Sequence, residues 1–190
     1  MNKRVFLTAC TSFAAVSFFS SCTTSTPSSA DPVARRKAID AEVDRALSQL
    51  YGQVRGSREL VASSRGALVF PNVVSAGFIV GGTHGDGALR KAGATSRYYS
   101  ISGVSAGLLA GAQSRAIFYL FMTEDALKKF EASSGWTAGV DASVALLKIG
   151  ANAQIDTETA KQPVIGFALT NAGLMANISL DGTRITPLNL

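Results

Sequence analysis

The chain has 190 residues, 47% of them hydrophobic, with 18 basic against 13 acidic side chains, one histidine and two cysteines. That is enough chain for one domain with a real core. A single histidine all but excludes a Ser-His-Asp site built anywhere else, and histidine-based metal sites with it. The mild basic surplus permits contact with anionic lipid and is weak ground for nucleic acid.

Residues 1–21 read as a leader. Lys3 and Arg4 precede an apolar run over residues 5–19, and Ser20 and Ser21 stand before Cys22. This is the layout of a secretory signal with a lipoprotein-type cleavage site. The run falls short of the roughly 20 apolar residues that cross a bilayer. Cys10 would leave with the leader, so Cys22 remains as the lone mature cysteine and a disulfide within one mature chain is impossible. The expectation is a lipid on Cys22, with plain secretion and cleavage beyond it as the alternative. Thr23 stands where Asp would signal inner-membrane retention, so the expected location is the outer membrane, facing the periplasm. Residues 22–30 are a Ser/Thr/Pro tether with nothing to bury.

Asp31 and Pro32 open a helix as cap and first residue. Ile39, Val43, Leu47, Leu50 and Val54 recur at helical spacing on one face. The other face carries Arg35, Arg36, Lys37, Asp40, Glu42, Asp44 and Arg45, and the helix ends near Gly52. A short second helix follows over residues 57–63, with Ser57 as its expected cap and Gly66 closing it. Strands are expected at 67–70, stopped by Pro71, and at 77–82. A turn at 83–87 (THGDG) leads into 88–92, and further strands cover 96–102, 104–112 and 115–122. Residues 116–122 are apolar without a break, as in a central strand covered on both faces. Thr123, Glu124 and Asp125 start an internal helix whose buried side is Ala126, Leu127, Phe130 and Ala132, ending at Gly135 and Trp136. Alternation over 140–146 and 149–155 with a flip between them, then over 165–169 and 174–180, predicts further antiparallel strands with turns at 171–173 and 181–182. The fold class is α+β: a single domain over 31–190, helical over 31–64 and mainly β over 65–190, its antiparallel sheet curved or a partial barrel.

Three features invite chemistry. His84 lies in the glycine-rich stretch 81–87 (GGTHGDG), which reads as a glycine hairpin in preference to a phosphate loop because Ala-Leu-Arg follows in place of Lys and a helix. Gly103, Gly107 and Gly111 recur every fourth residue. On one strand they would share a face, allowing curvature or the approach of an acyl chain. Arg35, Arg36 and Lys37, with Arg45, Arg55 and Arg58, form a basic group near the tether, either an ordinary solvated face or a contact for anionic lipid.

A resemblance runs through the later two-thirds of the chain. Residues 65–71 (RGALVFP), 76–82 (AGFIVGG), 107–113 (GLLAGAQ), 121–127 (FMTEDAL), 139–144 (GVDASV), 173–174 (GL) and 179–182 (SLDG) resemble, in order and spacing, the motifs of the SYLF domain family, also described as a yeast-type actin-regulator domain. The resemblance implies lipid or membrane-surface binding and carries over no catalytic residue; no metal or cofactor is expected. The expected partner is anionic phospholipid or a membrane surface. The expected lipid-binding residues are Arg35, Arg36, Lys37, Arg55, Arg58, Gly103, Gly107 and Gly111. The alternative is a structural module binding another cell-envelope protein through its sheet edge or through Tyr98 and Tyr99.

Overall fold

The computed structural model describes residues 31–77, 80–106, 111–147, 161–170, 173–175, 180 and 182–190. The leader, the tether with Cys22, Gly107 and residues 148–160 lie outside the described residues.

Helix α1 spans Pro32–Gln53, and the Asp31 carboxylate accepts from Val33 N and Ala34 N, at 2.9 and 3.3 Å. Ile39, Val43, Ala46 and Leu50 form its buried stripe. Helix α2 spans Ser57–Ser63, but its cap is Gly56 at φ 80°, not Ser57. The Ser57 hydroxyl is buried and donates back to Val54 O at 2.6 Å and Leu50 O at 3.2 Å, so it satisfies carbonyls at the end of α1. Gly66 opens a strand and does not close α2.

The strands are β1 (Gly66–Gly77), β2 (Val80–Lys91), β3 (Ala94–Ala106), β4 (Gly111–Phe121), β5 (Trp136–Thr137), β6 (Ala145–Leu146), β7 (Val164–Thr170), β8 (Gly173–Leu174) and β9 (Arg184–Pro187). They form one strongly curled sheet in the order β5-β9-β3-β2-β1-β4-β7-β6, with β8 paired to β7. All pairs are antiparallel except β6 with β7. The α+β single-domain class and the partial barrel therefore stand. Helix α3 (Glu124–Ala132) follows β4, capped by the Thr123 hydroxyl on Ala126 N, with Leu127 and Phe130 buried and Ala132 exposed, contrary to expectation.

Period-two alternation sorts the core onto two faces of this sheet. Leu68, Phe70, Ile117, Tyr119 and Phe121 point to the side of α3, where Phe130 and Trp136 complete an aromatic cluster with centroids 4.7 to 6.3 Å apart. Ala67, Val69, Ala116, Phe118, Leu120, Ile165 and Phe167 point to the other side and pack under α1 and α2. Strand β4 is buried on both faces, as its unbroken apolar run requires.

Two expected breaks are absent. Strand β1 runs through Pro71, and its register shifts between Phe70 and Val73. A proline without a donor is accommodated at such a bulge. Strand β2 in turn runs unbroken through residues 83–87, with no turn there. Its glycines are needed because the bulge presses on them. A Cβ on Gly85 would stand 2.9 Å from Asn72 O, and one on Gly87 only 2.6 Å from Phe70 Cδ1 with the Val69 carbonyl closer still. The tight turn lies instead at Ala92 and Gly93, both at positive φ, joining β2 to β3.

The expected strand over 140–146 is mostly a turn. The Asp141 carboxylate accepts from Thr137 N, Val140 N and Asp141 N bond to Thr137 O, and Val140 is left exposed. These local bonds replace sheet pairing, leaving only the two residues of β6.

The bulge contact gives a test. Gly87→Ala should destabilise the protein by about 1–3 kcal/mol through overpacking, whereas Gly82→Ala, with nothing within 4 Å of the added carbon, should be near neutral. Urea unfolding of the two variants measures the difference.

Candidate functional site

Helix α1 is fastened to the sheet by its acids. The Asp40 carboxylate accepts from Thr95 Oγ1 at 2.6 Å and Tyr98 Oη at 2.8 Å, and Arg90 stands 3.7 Å away. Asp44 accepts from Arg90 at 2.7 Å, and Arg90 also donates to the Asp40 carbonyl at 3.3 Å. These acids sit one turn apart, so both face the β2–β3 hairpin. Burial, then the bond to Asp40, pushes the Tyr98 phenol above its ordinary pKa.

The basic group divides. Arg35 is not available as a free cation, because it pairs with Asp86 of β2 at 2.6 Å. Arg36 and Lys37 are exposed on the first turns of α1. Arg55 is exposed beyond the end of α1, and Arg58 lies with its guanidinium 4.5 Å from the centroid of the Tyr51 ring. A helix of 22 residues is roughly 33 Å long, so Arg36 and Lys37 do not form one patch with Arg55 and Arg58.

At the second location Arg58 meets a cavity of about 370 Å³ between α1, α2 and the β2–β3 hairpin. Its lining includes Asp44, Leu47, Tyr51, Arg58, Val61, Ala67 and Arg90. Arg90 is already held by Asp44, so the charge this apolar-walled cavity can offer an anionic group is the guanidinium of Arg58. Arg90 has a buried Nε without a partner among the described residues. Burial raises the Tyr51 pKa, and Arg58 acts in the opposite direction. Arg90 was not among the sequence-predicted residues. Its signal was a lone arginine within strand residues, facing a helix with acids at i and i+4. A larger cavity of about 750 Å³ beside α3 carries Asp125 and Asp141 against Lys129, a poorer match to an anion.

The glycines are not one surface. Gly103 belongs to β3 and Gly111 opens β4, with β2 and β1 between them. Gly107 lies outside the described residues. The premise of a single glycine-faced strand is therefore overturned, because the expected strand over 104–112 is the end of one strand and the start of another.

Tyr98 and Tyr99 offer no docking surface. Tyr99 is buried against Phe130 at 4.9 Å, and Tyr98 is half-buried with its hydroxyl on Asp40. His84 is exposed on β2, with its register partner Ser102 on β3 and Asp86 Oδ1 at 3.9 Å from Nε2. The three side chains do not make a triad. Arg35 holds the aspartate, and the Ser102 hydroxyl is directed 3.5 Å from the Arg184 carbonyl. No group of three or more metal-ligating side chains occurs among the described residues, and no described helix is long and apolar enough to cross a membrane.

Comparison with known protein families matches part of the chain. Residues 102–189 match the family model described as Ysc84, Las17-binding protein actin regulator. No curated relative matches the chain. The match is to the same domain family that the sequence motifs resemble. It begins inside β3, yet β2 and β1 separate β3 from β4 in the sheet. The matched segment thus cannot close its sheet without residues 66–91, where the first two resembling motifs lie.

Asp40→Ala should cost about 1–3 kcal/mol by stranding Thr95, Tyr98 and Arg90. Thermal unfolding of Asp40→Ala beside Glu42→Ala, an exposed acid of the same helix, measures it.

Proposed function

Taking residues 102–189 as a segment of the Ysc84 family, we propose that the domain is a non-catalytic module that binds anionic phospholipid surfaces, tethered to the outer membrane through a lipid on Cys22 and facing the periplasm. One observation carries this reading. Asp40 of α1 is turned inward onto Thr95 and Tyr98, and Asp44, itself exposed, is paired with Arg90, while Arg36, Lys37, Arg45, Arg55 and Arg58 form no ion pair among the described residues. The surface of the α1–α2 layer carries those five cations against the exposed acids Asp31, Glu42, Asp44 and Glu59, of which Asp44 is already matched by Arg90. Each such cation contributes about 1 kcal/mol beside an anionic leaflet.

The family description supports a binding role in general terms, and a protein partner is part of that description. Among the described residues the outermost strands of the sheet, β5 and β6, are two residues each, so a protein partner would meet only short regular edges at those two positions.

Co-sedimentation with vesicles tests the reading. The protein should bind phosphatidylglycerol–phosphatidylcholine vesicles and leave pure phosphatidylcholine vesicles in solution, with affinity falling as salt rises. Neutralising two of these cations, as in R36Q/K37Q, should weaken binding roughly 30-fold. Equal binding to both vesicle types, or to neither, would refute the proposal.

A further inference from the structure

The core beneath α1 and α2 is not closed over. Leu47, Tyr51 and Val61 pack against it yet stay half-buried, and all three line the cavity of about 370 Å³ between α1, α2 and the β2–β3 hairpin. Helical spacing places them there. Asp44, Leu47 and Tyr51 stand at i, i+3 and i+7 on α1, and Arg58, Val61 and Ala62 at i, i+3 and i+4 on α2. Each helix therefore turns one stripe toward the gap. Ala67 of β1 and the turn residues Ala92 and Gly93 complete the walls with side chains too short to fill the space. The volume lies within the range of about 300–1,000 Å³ found for small-molecule sites.

The position of α2 is fixed independently of any ligand. Ser57 bonds back to the end of α1, and Leu60 is buried in the core. The opposite stripe of this short helix is thereby held over the cavity.

The charges around the cavity leave one cation over. The Arg90 guanidinium is occupied by Asp44 at 2.7 Å, the Asp40 carbonyl at 3.3 Å and the Gly93 carbonyl at 3.4 Å. Asp44 and Arg90 cancel, and Arg58 has no acid partner among the described residues. Its guanidinium is instead held 4.5 Å from the centroid of the Tyr51 ring, which orients it without using its N–H donors. Burial raises the Tyr51 pKa, so the phenol is protonated at neutral pH and is a second donor.

We propose that this cavity binds a small amphiphilic monoanion, one acid group on a short hydrocarbon chain. The acid lies on Arg58 at the exposed mouth, and the chain lies against Leu47, Tyr51 and Val61. One uncompensated cation matches one negative charge, and three half-covered apolar side chains match the chain. The proposal goes beyond contact with a lipid surface, because it needs an enclosed site and not the spread of cations over α1 and α2. A free carboxylate and the acid group of a lipid share this chemistry.

The test is calorimetric titration of the full protein with octanoate below its micelle-forming concentration. Octanoate should bind, and the affinity should rise up to roughly fourfold per methylene from hexanoate to octanoate. Neutral 1-octanol and inorganic phosphate, each lacking one half of the ligand, should bind at least roughly tenfold more weakly. R58Q and A62F alter exposed residues, so their unfolding curves should stay close to the parent's. R58Q should weaken octanoate binding roughly tenfold, and A62F should abolish it by filling the space. No binding of octanoate, equal binding of 1-octanol, or parent-like binding by either variant would overturn the proposal. Those results would leave vesicle binding by the parent untouched, so the two readings fail separately. Phosphatidylglycerol–phosphatidylcholine vesicles added to the octanoate-loaded protein identify the source of the acid. Undiminished vesicle binding supports a free carboxylate, and displacement from the vesicles supports the acid group of a lipid.

Discussion

The carboxylate of Asp40 decides which way the first helix faces. It takes two short hydrogen bonds, from Thr95 and Tyr98, and shares Arg90 with Asp44 one turn later. A carboxylate held this way by neighbouring strands cannot rotate to solvent without stranding several donors. Helix α1 is consequently locked at one rotation about its axis, with Asp40 and Asp44 toward the hairpin, Arg35 on Asp86, and Arg36, Lys37, Glu42 and Arg45 exposed. The apolar stripe of Ile39, Val43, Ala46 and Leu50 would tolerate small rotations by itself, and the ion network removes that freedom.

The sheet imposes the other constraint. Strands β1 to β4 are long, antiparallel and continuous, and α1 and α2 cover only part of one face. The β1 bulge at Pro71 and the two glycines beneath it give the local bend that lets these strands curl. The uncovered part of that face carries Val74, Ala76, Gly82 and Val104 beside the polar His84 and Ser102.

Elements whose local signals agree with their packing were legible in the sequence. The Asp31-Pro32 start of α1, the acidic first turn of α3 and the unbroken apolar run of β4 each fold as their residues dictate. Misreadings arose where a non-local contact overrules a local rule. Pro71 and the stretch 83–87 look like punctuation, yet each fits the other across a strand pair. Residues 140–146 alternate as a strand should, and Asp141 diverts them into a turn. Gly103 and Gly111 share a spacing but not a strand. In the basic group, spacing along α1 could not show that Arg35 would be consumed by Asp86, 51 residues away, or that Arg90 would join Asp44 beside Arg58.

Hydrogen–deuterium exchange on the full protein, with and without phosphatidylglycerol–phosphatidylcholine vesicles, tests the central claim that membrane contact follows from the unpaired bases of the α1–α2 layer. The account predicts slower exchange confined to α1 and α2, with α3 unchanged. Protection confined to the α3 side, or none anywhere while the protein is vesicle-bound, would contradict it.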